Sequence, residues 1–159
     1  MSLPRRLAIR LGRQPWMPKL SPLVVAVDRV ASRLTRGRVM LLSVAGLPCL
    51  TLTVVGRRSG QPRSVPLLGM PWGDGWVVVG SNWGGARTPD WVHNLRAAAG
   101  ADVEVRGRHT TVVAHEAVGA EREQLWNALL QVWPNYARYA ERTDRDIPVL
   151  VLTPTVATT

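Results

Sequence analysis

From Val39 onward the apolar residues recur at a period close to two, in runs near 39–44, 50–55, 64–70, 76–81, 103–106, 109–118 and 148–152. That alternation predicts seven short strands. Three stretches interrupt it with helical spacing. Thr88-Pro89-Asp90 caps one helix that runs to about Ala99 and closes at Gly100, Glu121 and Glu123 open a second that ends near Val132, and a short third covers 135–142. Ahead of the strands, Ser21-Pro22 reads as an N-cap with proline in the first helical turn, followed by Leu23, Val27, Val30 and Leu34 at helical spacing. Arg29, Arg33 and Arg36 fall on another face of that helix. It either packs its apolar face on the domain or lies on anionic lipid. So many strands with so few helices predict a mainly β, α+β fold built as a closed or half-closed antiparallel barrel, because a doubly wound parallel sheet needs a helix between most strands.

Composition narrows the setting. A chain of 159 residues with 46% apolar content makes one compact domain. Its single cysteine, Cys49, has no partner for an internal disulfide, which fits a reducing, cytoplasmic environment. No apolar run approaches the roughly 18 residues of a membrane-spanning helix, and the basic start lacks the apolar core of a signal peptide. The net charge of +9 is lopsided. Residues 1–38 hold nine Lys and Arg against one acid, Asp28, whereas residues 39–159 hold eleven Arg against ten acids. The division expected is therefore a basic arm with an amphipathic helix at 1–38, a barrel at 39–154 and a tail at 155–159. Nucleic acid is not expected as a partner, since the body lacks a basic stripe interleaved with aromatics. An anionic membrane surface fits the arm better.

Several familiar chemistries are missing: there is no P-loop, no GxGxxG after a strand, no GxSxG and no HExxH. His109 and His115 share one strand face without a third ligand, so no metal is expected. Two loops are suited to anions. The first is "GRRSGQPRSVPL", residues 56–67, which crowds Arg57, Arg58 and Arg63 around a Gly/Pro turn between two strands. The second is "GSNWGGARTPDW", residues 80–91, a glycine-rich loop that leads from a strand into a helix N-terminus. Each alone reads as ordinary surface. Together they imply one ligand with several negative charges. Farther on, Trp133, Tyr136 and Tyr139 are spaced by three along a helical segment, where they either close the barrel end or roof a flat aromatic ligand and offer it a phenol.

With "VVVGSNWGG", "PDWVHNL" and "YARYAERTDRDIPVLVL" added to the arginine hairpin, the stretch from Leu50 to Pro154 resembles the deazaflavin-dependent nitroreductases, which use coenzyme F420. The resemblance implies a split β-barrel of the FMN-binding kind. It also implies a ligand that fits the loops, because F420 carries a phosphate and a tail of glutamate carboxylates. By resemblance, Arg57, Arg58 and Arg63 would hold those anions, with Ser64, Val65 and Pro66 on the ring-proximal wall. Gly80, Ser81, Asn82, Trp83, Gly84 and Gly85 would form the opposite wall, with Trp91 and Asn94. Trp133, Tyr136 and Tyr139 would cover the substrate, and Tyr136, Tyr139 and Ser81 would be the catalytic donors. Two positions depart from the family pattern: Asn82 stands where many members have lysine, and Trp133 where nitroimidazole-reducing relatives have tyrosine. The two departures together put nitro-drug reduction in question, while the three arginines keep cofactor use as expected. The activity expected is hydride transfer from reduced F420 to a quinone, enone or nitroaromatic, in the cytoplasm or at the inner face of the membrane. The alternatives are a non-catalytic, membrane-peripheral deazaflavin-binding protein and an FMN-using split-barrel oxidase.

Overall fold

The computed structural model describes residues 3–35, Ser43 and 46–155. β1 (Cys49–Val55) and β2 (Pro62–Leu68) form an antiparallel hairpin with Val55 opposite Pro62 and Cys49 opposite Leu68. Its loop is closed by hydrogen bonds from Gly56 N–H to Gln61 C=O and from Gly60 N–H to Gly56 C=O, and Gly60 takes φ +66°. Glycine adopts that angle without a steric penalty. β3 (Met70–Trp72), β4 (Gly75–Val79), β5 (Ala101–Val105), β6 (Arg108–Glu116) and β7 (Val149–Pro154) complete one sheet in the order β2-β1-β5-β6-β7-β4-β3, all neighbours antiparallel. β2 also lies against β4, so the sheet curls into a half-barrel.

The strands β4 and β7 show why these segments read as unbroken apolar runs. Val77, Val79, Val149 and Val151 point into one core cluster, and Val78, Leu150 and Leu152 into another on the opposite face. A strand buried on both faces has no polar side to alternate with. α3 (Asp90–Ala97) covers the second cluster with Val92 and Leu95. α4 (Gly119–Val132) and α5 (Asn135–Glu141) cover the first with Leu125, Leu129, Tyr136 and Tyr139.

The N-terminal region differs most from the pattern expected. α1 (Leu3–Gly12) is a helix where none is predicted, and its Ile9 is part of the first core cluster. Arg5 donates to the carbonyls of Gln131 and Val132 at the end of α4, and Asn135 Nδ2 donates 2.9 Å to Ile9 C=O. α2 (Met17–Thr35) begins before Ser21-Pro22, so that Pro22 lies inside it. Pro18 is the proline that occupies the first turn, where the missing N–H costs nothing. The positions Leu23, Val27, Val30 and Leu34 do not pack on the domain but are exposed. Elsewhere the expected strand 64–70 is split at Gly69, which donates to Pro48 C=O, and the strand 76–81 stops at Val79. The strand expected near 39–44 falls outside the described residues except for Ser43, which is helical.

Candidate functional site

Two cavities meet at Val65 and Trp91. The first, about 410 Å³, is lined by the β1–β2 hairpin (Gly56 to Ser59, then Arg63 to Val65) and by Asp90, Trp91 and Asn94 of α3. The hairpin register puts Arg63 and Ser64, both of which line the cavity, opposite Val54 and Thr53. Arg57 is already engaged: Nη1 donates 2.9 Å to Asn94 Oδ1, Nη2 donates 3.2 Å to Asp90 Oδ1, and its N–H also reaches Asn94 Oδ1. This ties the hairpin to the N-terminal turn of α3. Arg58 and Arg63 have no ion pair among the described residues and are exposed, so two guanidinium groups and a helix N-terminus converge on one open cavity.

The second cavity, about 270 Å³, is mainly apolar. Val65 to Leu68 form one wall, Ser81, Asn82 and Trp83 another, and Trp133, Tyr136 and Tyr139 a third. Val24 and Asp28 of α2 complete it. Trp83 and Tyr139 meet edge to face at 6.1 Å, as do Tyr136 and Tyr139. Flat aromatic walls at such spacing suit a planar ring. The tyrosine hydroxyls differ. Tyr139 OH donates 3.3 Å to Gly12 C=O of α1, and burial pushes its pKa up to about 12 against the lowering effect of hydrogen bonds with the Trp133 and Asn135 side chains and of the Arg142 charge. Burial pushes Tyr136 up further, so its phenol stays protonated. Cys49 is held near 12 by burial and by the Asp28 carboxylate, and a thiol so held is no nucleophile at neutral pH.

The loop between the two walls is strained. Asn82 and Trp83 have φ +45° and +55°, a left-handed region costly for side-chain-bearing residues, and Gly84 continues it at +79°. Three anchors hold it. Asn82 Nδ2 donates 2.9 Å to Arg87 C=O; Arg145 donates from Nε to Gly85 C=O and from Nη2 to the carbonyls of Gly80 and Ser81, at 2.9–3.0 Å. Gly84 sits so close to α5 that a Cβ there would lie 2.8 Å from Tyr139 C=O.

Of the residues singled out in the sequence, Arg57, Arg58, Arg63, Ser64, Val65, Pro66, Ser81, Asn82, Trp83, Trp91, Asn94, Trp133, Tyr136 and Tyr139 line one cavity or both. Gly80, Gly84 and Gly85 do not. Their place is behind the wall, where they admit Val92, Tyr139 and Asn82 at close range, and the carbonyls of Gly80 and Gly85 accept from Arg145. The sequence reading missed Arg145 and the contribution of α2. Asp28 had one signal, being the sole acid of the first 38 residues.

Coenzyme F420 suits this donor set: the arginine-rich cavity matches a phosphate and carboxylates, and the adjoining aromatic cavity matches a flat ring system. A family model of F420H(2)-dependent quinone reductases matches residues 26–154. A protein of Mycobacterium tuberculosis strain H37Rv described as an F420H(2)-dependent quinone reductase is 33% identical over 122 residues, which are 75% of this chain and 82% of that one. A solved structure of an F420-H2 dependent reductase, FDR-A, aligns with a TM-score of 0.61 at 32% identity over 66% of this chain and 93% of its own. The Vibrio cholerae heme storage protein HutZ shares the fold alone, with 13% identity and a TM-score of 0.52 over 69% of this chain and 82% of its own. With the family model spanning all seven strands, the chain belongs to the F420H(2)-dependent quinone reductases, a family of oxidoreductases whose cofactor is coenzyme F420.

Proposed function

We propose that this chain reduces a quinone by two electrons, with the ring of F420 in the groove shared by the two cavities and the quinone against Trp133, Tyr136 and Tyr139. When bound, the reduced deazaflavin supplies a hydride from C5. The quinone accepts that hydride with both its electrons and a proton, and leaves as the hydroquinone. The residues of the chain orient the acceptor, exclude water and manage the proton. Arg58 and Arg63 bind the phosphate and tail carboxylates, while Arg57, engaged with Asp90 and Asn94, fixes the hairpin that carries them. Tyr136 donates to the quinone oxygen as negative charge grows there, since its buried phenol keeps its proton. Ser81 is a second donor in reach of the same cavity.

The observation that carries this reading is the junction of a cationic cavity with an aromatic one at Val65 and Trp91. Fluorescence titration with oxidised F420 tests it. The double variant Arg58→Ala/Arg63→Ala is expected to weaken binding by about tenfold or more and to flatten its salt dependence, because exposed charge pairs are screened over ~8–10 Å. Equal affinity and equal salt response in the two proteins would remove the arginines from the site, and tighter binding of FMN than of F420 would overturn the cofactor placement.

The charge of residues 1–38 adds an attachment to an anionic leaflet, where each basic residue near the surface contributes ~1 kcal/mol.

A further inference from the structure

The arginine-rich cavity contains one group of the wrong sign for its ligand. Asp90, at the start of α3, lines it beside Arg57, Arg58 and Arg63. Arg57 is held on two sides that differ in strength. On one, its N–H and Nη1 both donate to Asn94 Oδ1, at 3.2 and 2.9 Å, and Asn94 is only 7% exposed. On the other, Nη2 donates 3.2 Å to Asp90 Oδ1, and the side chains of Arg57 and Asp90 are 26% and 84% exposed. Hydrogen bonds shielded from water persist, whereas an ion pair whose carboxylate stands in solvent contributes little and is screened by salt. The Nη2 edge of Arg57 is therefore held weakly, while the rest of the guanidinium stays where Asn94 puts it.

An acid in the first turn of a helix is favoured by the helix dipole and often has no other role. Asp90 differs from such an acid in its surroundings. It lies inside the cavity, and its one ion pair among the described residues is with an arginine of that same cavity. Bracing that arginine does not require it, since Asn94 already holds two of its donors and Asp90 C=O accepts from Nη1 at 3.3 Å whatever the side chain. What the carboxylate does there is occupy the guanidinium edge that Asn94 leaves over.

We propose that Asp90 is a tethered competitor for the anionic groups of the cofactor: it holds the Nη2 edge of Arg57 in the free protein, yields that edge to a phosphate or carboxylate oxygen of F420, and so limits how tightly F420 is held. The inference rests on the reading that places those anions in this cavity. No covalent bond changes. One charge-assisted hydrogen bond replaces another of the same kind, and the displaced carboxylate remains a like charge beside the ligand. A quinone reductase must exchange its cofactor or have it re-reduced after every turnover, so a limit on affinity serves turnover. The competing role for Asp90 is that of a brace that shapes Arg57 for the ligand. The two roles differ in sign, because removing a competitor tightens binding and removing a brace loosens it.

The test is fluorescence titration of the full chain with oxidised F420 at several salt concentrations. Asp90→Asn is expected to bind F420 about fivefold more tightly than wild type, the size of one exposed ion pair. Its affinity should also fall more steeply with added salt, because the cavity gains a net positive charge. Asp90→Glu, which keeps the carboxylate, is expected to stay within about twofold of wild type. In an Arg57→Ala background the gain from Asp90→Asn should shrink to about twofold or less, since the contact to be exchanged is gone. Equal or weaker binding by Asp90→Asn overturns the inference and leaves Asp90 a bystander or a brace. An equal gain in Asp90→Glu, or the full gain in the Arg57→Ala background, also overturns it, because the effect would then not come from a carboxylate held on Arg57. F420 affinity left unchanged by Arg58→Ala/Arg63→Ala would instead overturn the cofactor placement on which the inference rests.

Discussion

Tyr136 and Tyr139 are three residues apart on the same short helix, yet their hydroxyls meet different surroundings. The Tyr139 phenol bonds to Gly12 C=O and thereby helps hold α1 to the body. The Tyr136 phenol borders the aromatic cavity and is kept protonated by burial. Tyr136→Phe is therefore expected to lower quinone turnover by about tenfold or more, since one well-placed donor to a developing oxyanion is worth ~2.7–4 kcal/mol in comparable sites. F420 affinity should stay within about twofold of wild type. Tyr139→Phe is expected to do the reverse, costing about 1 kcal/mol of stability through the lost hydrogen bond while turnover changes little. Stopped-flow reduction of a quinone and denaturant unfolding of both variants separate the two roles. Equal turnover in wild type and Tyr136→Phe would pass the donor role to Ser81 or to solvent.

The segment Ser81 to Gly85 depends for its shape on a residue sixty positions away. Arg145 donates to the carbonyls of Ser81 and Gly85 and to that of Gly80 just before it, a clasp that holds Asn82 and Trp83 in left-handed backbone despite their side chains. Arg145→Lys is expected to cost about 2 kcal/mol of stability, because one ammonium does not span three carbonyls as a planar guanidinium does and half-buried acceptors are left unpaired. Turnover should fall along with the shift in unfolding midpoint, since Ser81 and Trp83 form a wall of the aromatic cavity. An unchanged midpoint would show the loop to be self-supporting. The sequence had no way to show this clasp: the Thr-Asp-Arg-Asp run belongs to a stretch that carries the family resemblance, but only the fold brings its arginine against Gly80. β1, β2, β4 to β7 and α3 to α5 were legible because their periodicity is a local signal. α1 was not, because its anchor, Ile9, packs on α4 and α5, more than a hundred residues later. The placement of α2 was half legible. Its stripe was visible in the sequence, but which side of the helix meets the domain depends on tertiary contacts, and there Val24 and Asp28 face inward instead of Leu23 and Val27.

Across the whole molecule, few groups titrate above neutral pH, and most of those are gathered in one place. The chain has nineteen arginines, one lysine, the exposed Lys19, one cysteine and two tyrosines. Cys49, Tyr136 and Tyr139 are all held protonated above their ordinary values, Cys49 from 9.0 to about 12 and Tyr139 from 10.0 to about 12, with burial the leading cause in each case. The unfolded chain sheds these protons first. Between pH 9 and 12 it therefore binds fewer protons than the native state, and stability falls as pH rises, by up to ~1.4 kcal/mol per pH unit for each group in that window. Below pH 9 these groups are protonated in both states, so their burial carries no pH penalty. Denaturant unfolding from pH 8 to 11 is expected to show a flat region that gives way to a decline above about pH 9, steepening above 10 as the phenols join. Cys49→Ala should move the onset up by about one unit, because the thiol titrates first in the unfolded chain. Tyrosinate absorbance should appear only together with unfolding, as both tyrosines are buried. A rise in that absorbance while the protein remains folded would mean that the walls of the aromatic cavity admit hydroxide, and with it the water that the site is proposed to exclude.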